Sequence, residues 1–163
     1  MFKKAQIEKF LKWSFIILTI GSCLILLFGF LFSAGMHGFV LDFSYIKYFF
    51  STFSPLLLVI VYSFFAYYGL RKNKNWGFIF GFSTVVPLLC FYFREVIRYF
   101  HIYIYSWDTA YNLFLMLLII LLTAMLLGLI KIKNILHYRF SDYIFSIVLS
   151  ITLFCLLIYS PHF

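Results

Sequence analysis

Along the chain, long uncharged stretches alternate with short charged clusters. No Asp, Glu, Lys or Arg occurs between Lys12 and Asp42, Lys47 and Arg71, Lys74 and Arg94, Asp108 and Lys131, or after Asp142. Inside these stretches apolar residues occupy every side, without the polar stripe that a water-facing helix repeats roughly every 3.6 residues. A helix needs about 20 mostly apolar residues to cross the hydrocarbon core of a bilayer. The pattern predicts an all-α membrane protein, a bundle of five transmembrane helices over residues 13–32, 53–70, 76–93, 109–130 and 143–160. They form a single polytopic domain covering residues 1–163.

Local signals refine these elements. Gly35 and Gly38 mark the end of the first helix, and LDFSYIKYFF after them suits a short helix lying in the interface, with Asp42 and Lys47 toward water. Ser54-Pro55 reads as an N-cap followed by proline at the first helical position, which starts the second span there. The third span is the least apolar, with Gly77, Gly81, Ser83, Thr84 and Pro87. Pro87 lacks a backbone donor and frees the carbonyl of Ser83, so a kink is expected, satisfied by a neighbouring helix or by a hydroxyl. The small-residue pairs Gly77 and Gly81, Ala124 and Gly128, and Ser146 and Ser150 read as packing positions inside the bundle rather than as a dimer seam.

Composition agrees with the pattern. The chain is 65% hydrophobic and 11% charged, whereas about a quarter of residues are charged in soluble domains. Charge adds an orientation. Alternate loops collect Lys3, Lys4, Lys9 and Lys12, then Arg71, Lys72 and Lys74, then Lys131, Lys133 and Arg139, out of 13 Lys and Arg in all. By the positive-inside rule the N-terminus is cytoplasmic and the C-terminus outside, in a plasma or inner membrane. The formal charge of +8 then sits on the inner face, because Lys47, Arg94 and Arg98 balance Asp42, Glu95 and Asp108 on the outer one. Such a surface suits anionic lipid headgroups rather than nucleic acid. Trp13 and Trp76 at inner ends and Trp107 at an outer end fit interfacial anchoring, and most tyrosines map to the outer half as an aromatic belt. The first apolar run exceeds the roughly 7–15 residues of a signal-peptide core, so a retained helix is the better reading.

Chemistry is sparse. No span contains an Asp, Glu, Lys, Arg or His in its interior, whereas proton- and sodium-coupled transporters usually carry an ionisable group near the midplane. There is no HExxH, no phosphate-binding glycine loop and no intramembrane aspartate pair. The four histidines, His37, His101, His137 and His162, fall at membrane surfaces. Cys23, Cys90 and Cys155 lie within spans without a CxxC. No cofactor, metal or catalytic residue is expected. Hydroxyl groups such as Thr19, Ser22, Ser63, Ser83, Thr84, Thr123 and Ser146 suit helix–helix or backbone bonds.

The exception is FYFREVIRYFHIYIYSWD, residues 91–108. If the third helix continues past Phe93, Arg94, Arg98, His101 and Tyr105 recur on one face. Paired arginines suit phosphate or carboxylate. Arg94, Glu95, Arg98 and His101 are therefore candidate ligands for a lipid headgroup. The bland alternative pairs Glu95 with Arg98, and Asp42 or Asp108 with Arg94. The alternation in HIYIYSW supports a strand-like ending instead.

These features point to a small non-catalytic membrane component. It would bind membrane lipids or a partner membrane protein through its outer half, or assemble as a homo-oligomer. The alternative is a small oligomeric transporter or channel for a neutral or weakly acidic solute. An interfacial lipid-modifying enzyme with Glu95 or His101 as base is the least supported.

Overall fold

The computed structural model describes residues 4–36, 38, 42–102, 109–133 and 140–159, the side chains of 4, 99–102, 109–113, 133 and 140 excepted. These residues form five α-helices: α1 Lys4–Met36, α2 Phe43–Arg71, α3 Asn75–Ile102, α4 Thr109–Lys133 and α5 Phe140–Tyr159. Each is long and apolar enough to cross a membrane.

The helices alternate in direction, so the N-termini of α1, α3 and α5 and the C-termini of α2 and α4 share one end. Contacts mark this end directly. The Asn75 amide of α3 donates to Asp142 of α5 at 3.4 Å, and Leu11 of α1 packs on Gly128 of α4. Lys9, Lys12, Arg71, Lys72, Lys74 and Lys131 gather here and make this the basic end. Asp42, Lys47, Arg94, Glu95 and Arg98 lie toward the opposite end.

Helix α3 occupies the centre and packs against α2, α4 and α5, while α1 lies along α2 and α4. This explains why the third stretch is the least apolar of the five. Of its span, 56% is buried in the bundle, against 11% for α1. A helix surrounded by protein can carry glycine and hydroxyl groups, whereas one facing lipid must be apolar on its exposed sides. On α1, Ile17, Ile20, Leu24, Phe28, Leu31 and Phe32 all face outward. The interior is filled by Leu11, Phe15, Val85, Met125, Leu129 and Leu153, each essentially inaccessible.

The glycines set the closest approaches. A Cβ built on Gly69 or Gly77 would overlap the backbone of the other, and one on Gly81 would lie 2.9 Å from the tip of Phe15. Gly77 and Gly81 thus serve packing within one copy. The α2–α3 turn is correspondingly tight. Lys74 N donates to Gly69 O at 2.9 Å and Gly77 N to Lys74 O at 3.0 Å. Asn73 takes the left-handed conformation, φ 52°, which asparagine tolerates better than most residues.

Two linked expectations are overturned. Ser54-Pro55 does not begin a helix, and the segment before it is not a separate interfacial helix. Instead α2 runs unbroken from Phe43 through Pro55 to Arg71. Its N-cap is Asp42, whose carboxylate accepts from Tyr45 N at 2.6 Å. Pro55 cannot donate to the carbonyl of Ser51, and the Ser54 hydroxyl supplies that bond at 3.0 Å. The serine that resembles a cap is a repair for the proline beside it. α3 likewise continues through Pro87.

Candidate functional site

Helix α3 extends to Ile102. This sets Arg94, Arg98 and His101 on one helical face by their spacing. The strand-like reading fails for its first two residues, His101 and Ile102. Residues 103–108, with Tyr105 and Asp108, lie outside the described residues, as does the His101 side chain. Arg94 and Arg98 are exposed while Glu95, turned toward the bundle, is only partly so. Among the described residues no ion pair joins Glu95 to Arg98 or Asp42 to Arg94. Asp42 is engaged as the α2 cap.

The Glu95 carboxylate has one oxygen, Oε1, that is buried and without a hydrogen-bond partner among the described residues. Buried polar atoms are rarely left this way. Thr52 of α2, itself buried, stands as far from Gly69 as Arg94 does from Gly77. The glycine contact therefore brings Thr52 to the level of Arg94 and Glu95. The arrangement is two outward guanidinium groups on a helix whose carboxylate turns inward, which suits holding an anion at the surface.

The hydroxyls inside the spans mostly bond backward along their own helices. Thr19 donates to Phe15 O at 2.8 Å, Thr84 to Phe80 O at 2.8 Å and Thr123 to Ile119 O at 2.8 Å. Ser83 differs. Its hydroxyl lies 2.7 Å from Ile79 O and 3.0 Å from Ser146 O, so it links α3 to α5. Ser63 is fully buried and its hydroxyl has no partner among the described residues. Cys23, Cys90 and Cys155 stand free and exposed on α1, α3 and α5. His37, His137 and His162 lie outside the described residues.

A second site, at the basic end, escaped the sequence reading. Between α1 and α2 a cleft of about 420 Å³ is lined by Glu8, Lys9, Lys12, Trp13, Tyr67 and Arg71, with Ala5 and Ile16. It exists because α1 is drawn two ways. Toward the opposite end α1 lies close on α2, where Gly29 admits the Phe53 ring and Tyr45 Oη donates to Phe30 O at 3.2 Å. Toward the basic end, Leu11 and Phe15 seat instead on Gly128 of α4 and Gly81 of α3. Lys12, Trp13 and Ile16 are left facing Tyr67 and Arg71 across open space. Lys12 Nζ is 3.8 Å from Glu8 Oε2, longer than a hydrogen bond of about 2.7–3.2 Å. The i, i+4 spacing of Glu8 and Lys12 is visible in the sequence. The opposing α2 residues are not, since nothing local pairs them. Comparison with protein-family models, curated proteins and solved structures finds no match for the chain.

Proposed function

We propose that the chain is a non-catalytic component of a plasma or inner membrane, with its N-terminus in the cytoplasm and its C-terminus outside. It engages an anionic group of a partner membrane protein or lipid through its outer half. The observation that carries this reading is the pair of exposed arginines, Arg94 and Arg98, on one face where the central helix emerges. Like charges on one face repel and are relieved by an anion. The side chains filling the bundle centre favour this over a solute path through a single copy. The basic end, meeting anionic cytoplasmic lipid, supports the orientation.

Purification in mild detergent tests the function. A second membrane protein or an anionic lipid should co-purify, and Arg94→Ala with Arg98→Ala should release it. Retention by the double variant refutes the outer site. For orientation, Lys72→Cys in a background with Cys23, Cys90 and Cys155 replaced by Ala should resist an impermeant maleimide on intact cells. Labelling from outside reverses the topology.

A further inference from the structure

We propose that the cleft between α1 and α2 at the basic end binds the phosphate of an anionic glycerophospholipid. This site is separate from the outer arginine face, and neither depends on the other. Lys9 and Lys12 reach it from α1 and Arg71 from the last turn of α2, against the single acid Glu8. Three cations from two helices converge with only one carboxylate among them, and an anion between them relieves their repulsion. The guanidinium of Arg71 offers paired N–H donors that match two phosphate oxygens, while the lysines act as point charges.

Lys12 is held but not satisfied. The Lys12 side chain is only 28% exposed, so its stem is packed while its ammonium stands 3.8 Å from Glu8. At that separation the pair is loose, and the ammonium keeps donors for an incoming phosphate.

The walls select a lipid over a free anion. From Glu8, Lys9 and Lys12 the lining passes in one turn to Ile16, inside the uncharged run of α1. Trp13 and Tyr67 stand at this border, and Trp13 is 57% exposed. Such rings present an apolar body and a polar tip at the level of the glycerol and ester groups. A site charged at one end and apolar at the other matches a phospholipid along its length. A free phosphate would leave the apolar part wet. The volume of about 420 Å³ lies within the range of roughly 300–1,000 Å³ typical of small-molecule sites.

The test is native mass spectrometry of the full chain in mild detergent, titrated with phosphatidylglycerol, with phosphatidylcholine, and with phosphatidylglycerol in competition with inorganic phosphate. One phosphatidylglycerol should be retained tightly. Lys12→Gln and Arg71→Gln should each weaken it about fivefold, the factor expected for one cation close to a headgroup. Lys131→Gln, which removes the same charge at the same end but outside the cleft, should change it less than about twofold by the same reasoning. Glu8→Gln should tighten binding, a gain that misfolding cannot produce. The proposal is overturned if Lys131→Gln weakens retention as much as the cleft variants, since only a diffuse field would then act. It is equally overturned if phosphatidylcholine is held as well as phosphatidylglycerol, or if Glu8→Gln gives no gain. Displacement by millimolar inorganic phosphate would show a site for free anions and overturn the lipid assignment.

Discussion

Replacing Gly77 with Ala should be among the most damaging single-methyl changes in this protein. A Cβ at Gly77 would sit within the backbone of Gly69 and Leu70, where carbon contacts normally relax to about 3.5–4.0 Å. Relief requires α2 and α3 to separate by on the order of 1 Å, the shortfall implied by that contact distance. The turn between them resists, because Lys74 N to Gly69 O at 2.9 Å and Gly77 N to Lys74 O at 3.0 Å tie the two helix ends together. Overpacking costs typically about 1–3 kcal/mol, and the upper part of that range applies where the neighbour is backbone and has no rotamer to change. Alanine recovers up to about 1 kcal/mol of helix propensity, leaving a net loss of about 2 kcal/mol. Gly21 provides the control, since a Cβ there meets nothing within 4 Å, and Gly21→Ala should be neutral or stabilising by up to about 1 kcal/mol. Gly81→Ala should fall between them. Its Cβ meets the tip of Phe15 at 2.9 Å and Leu129 Cδ2 at 3.2 Å, and side-chain tips can move. Reversible unfolding in mixed detergent, followed by circular dichroism, ranks the three. Equal stability of Gly77→Ala and Gly21→Ala, or a larger loss for Gly81→Ala than for Gly77→Ala, would rule out the backbone clash as the dominant cost.

Two further changes probe the hydroxyls. Ser54→Ala should cost about 1 kcal/mol while Pro55 is present, because the Ser51 carbonyl then loses its partner. In a Pro55→Ala background the new amide can reach that carbonyl, and the same serine change should cost close to nothing in a double-mutant unfolding cycle. Ser83→Ala removes the link from α3 to the Ser146 carbonyl of α5. It should cost about 0.6 kcal/mol in the same assay, the average for interhelical hydrogen bonds in membranes, and a loss above about 2 kcal/mol would exceed the largest such values and refute the assignment.

The five helices were legible because a bilayer leaves few alternatives. A long uncharged run must satisfy its backbone internally, and a helix is how one segment does so. Their ends were less legible, because several residues there have two plausible local roles. Ser54-Pro55 satisfies the rule for a helix start, yet Asp42 caps the same helix earlier and the serine hydroxyl covers the carbonyl that the proline exposes. The continuation of α3 past Phe93 was equally ambiguous, since the alternation beginning at His101 suits a strand as well as it suits a helix in this composition. The inward turn of Glu95 depends on its neighbours in the bundle, which no spacing rule supplies.

The cleft at the basic end shows why sites are harder to read than spans. Each ingredient is printed in the sequence: Glu8, Lys9, Lys12 and Trp13 on one helix, Tyr67 and Arg71 on another. What brings them to face one another is a choice made by glycines elsewhere. Gly29 lets α1 close on α2 near one end, while Gly81 and Gly128 receive Phe15 and Leu11 and draw α1 away from α2 near the other. None of these three glycines announces its partner in the residues beside it. Their meaning comes from which large side chain each admits, and that is a property of pairs distant in sequence. A membrane span can be inferred from one segment and its solvent, whereas this cleft needs four helices placed before its charges converge.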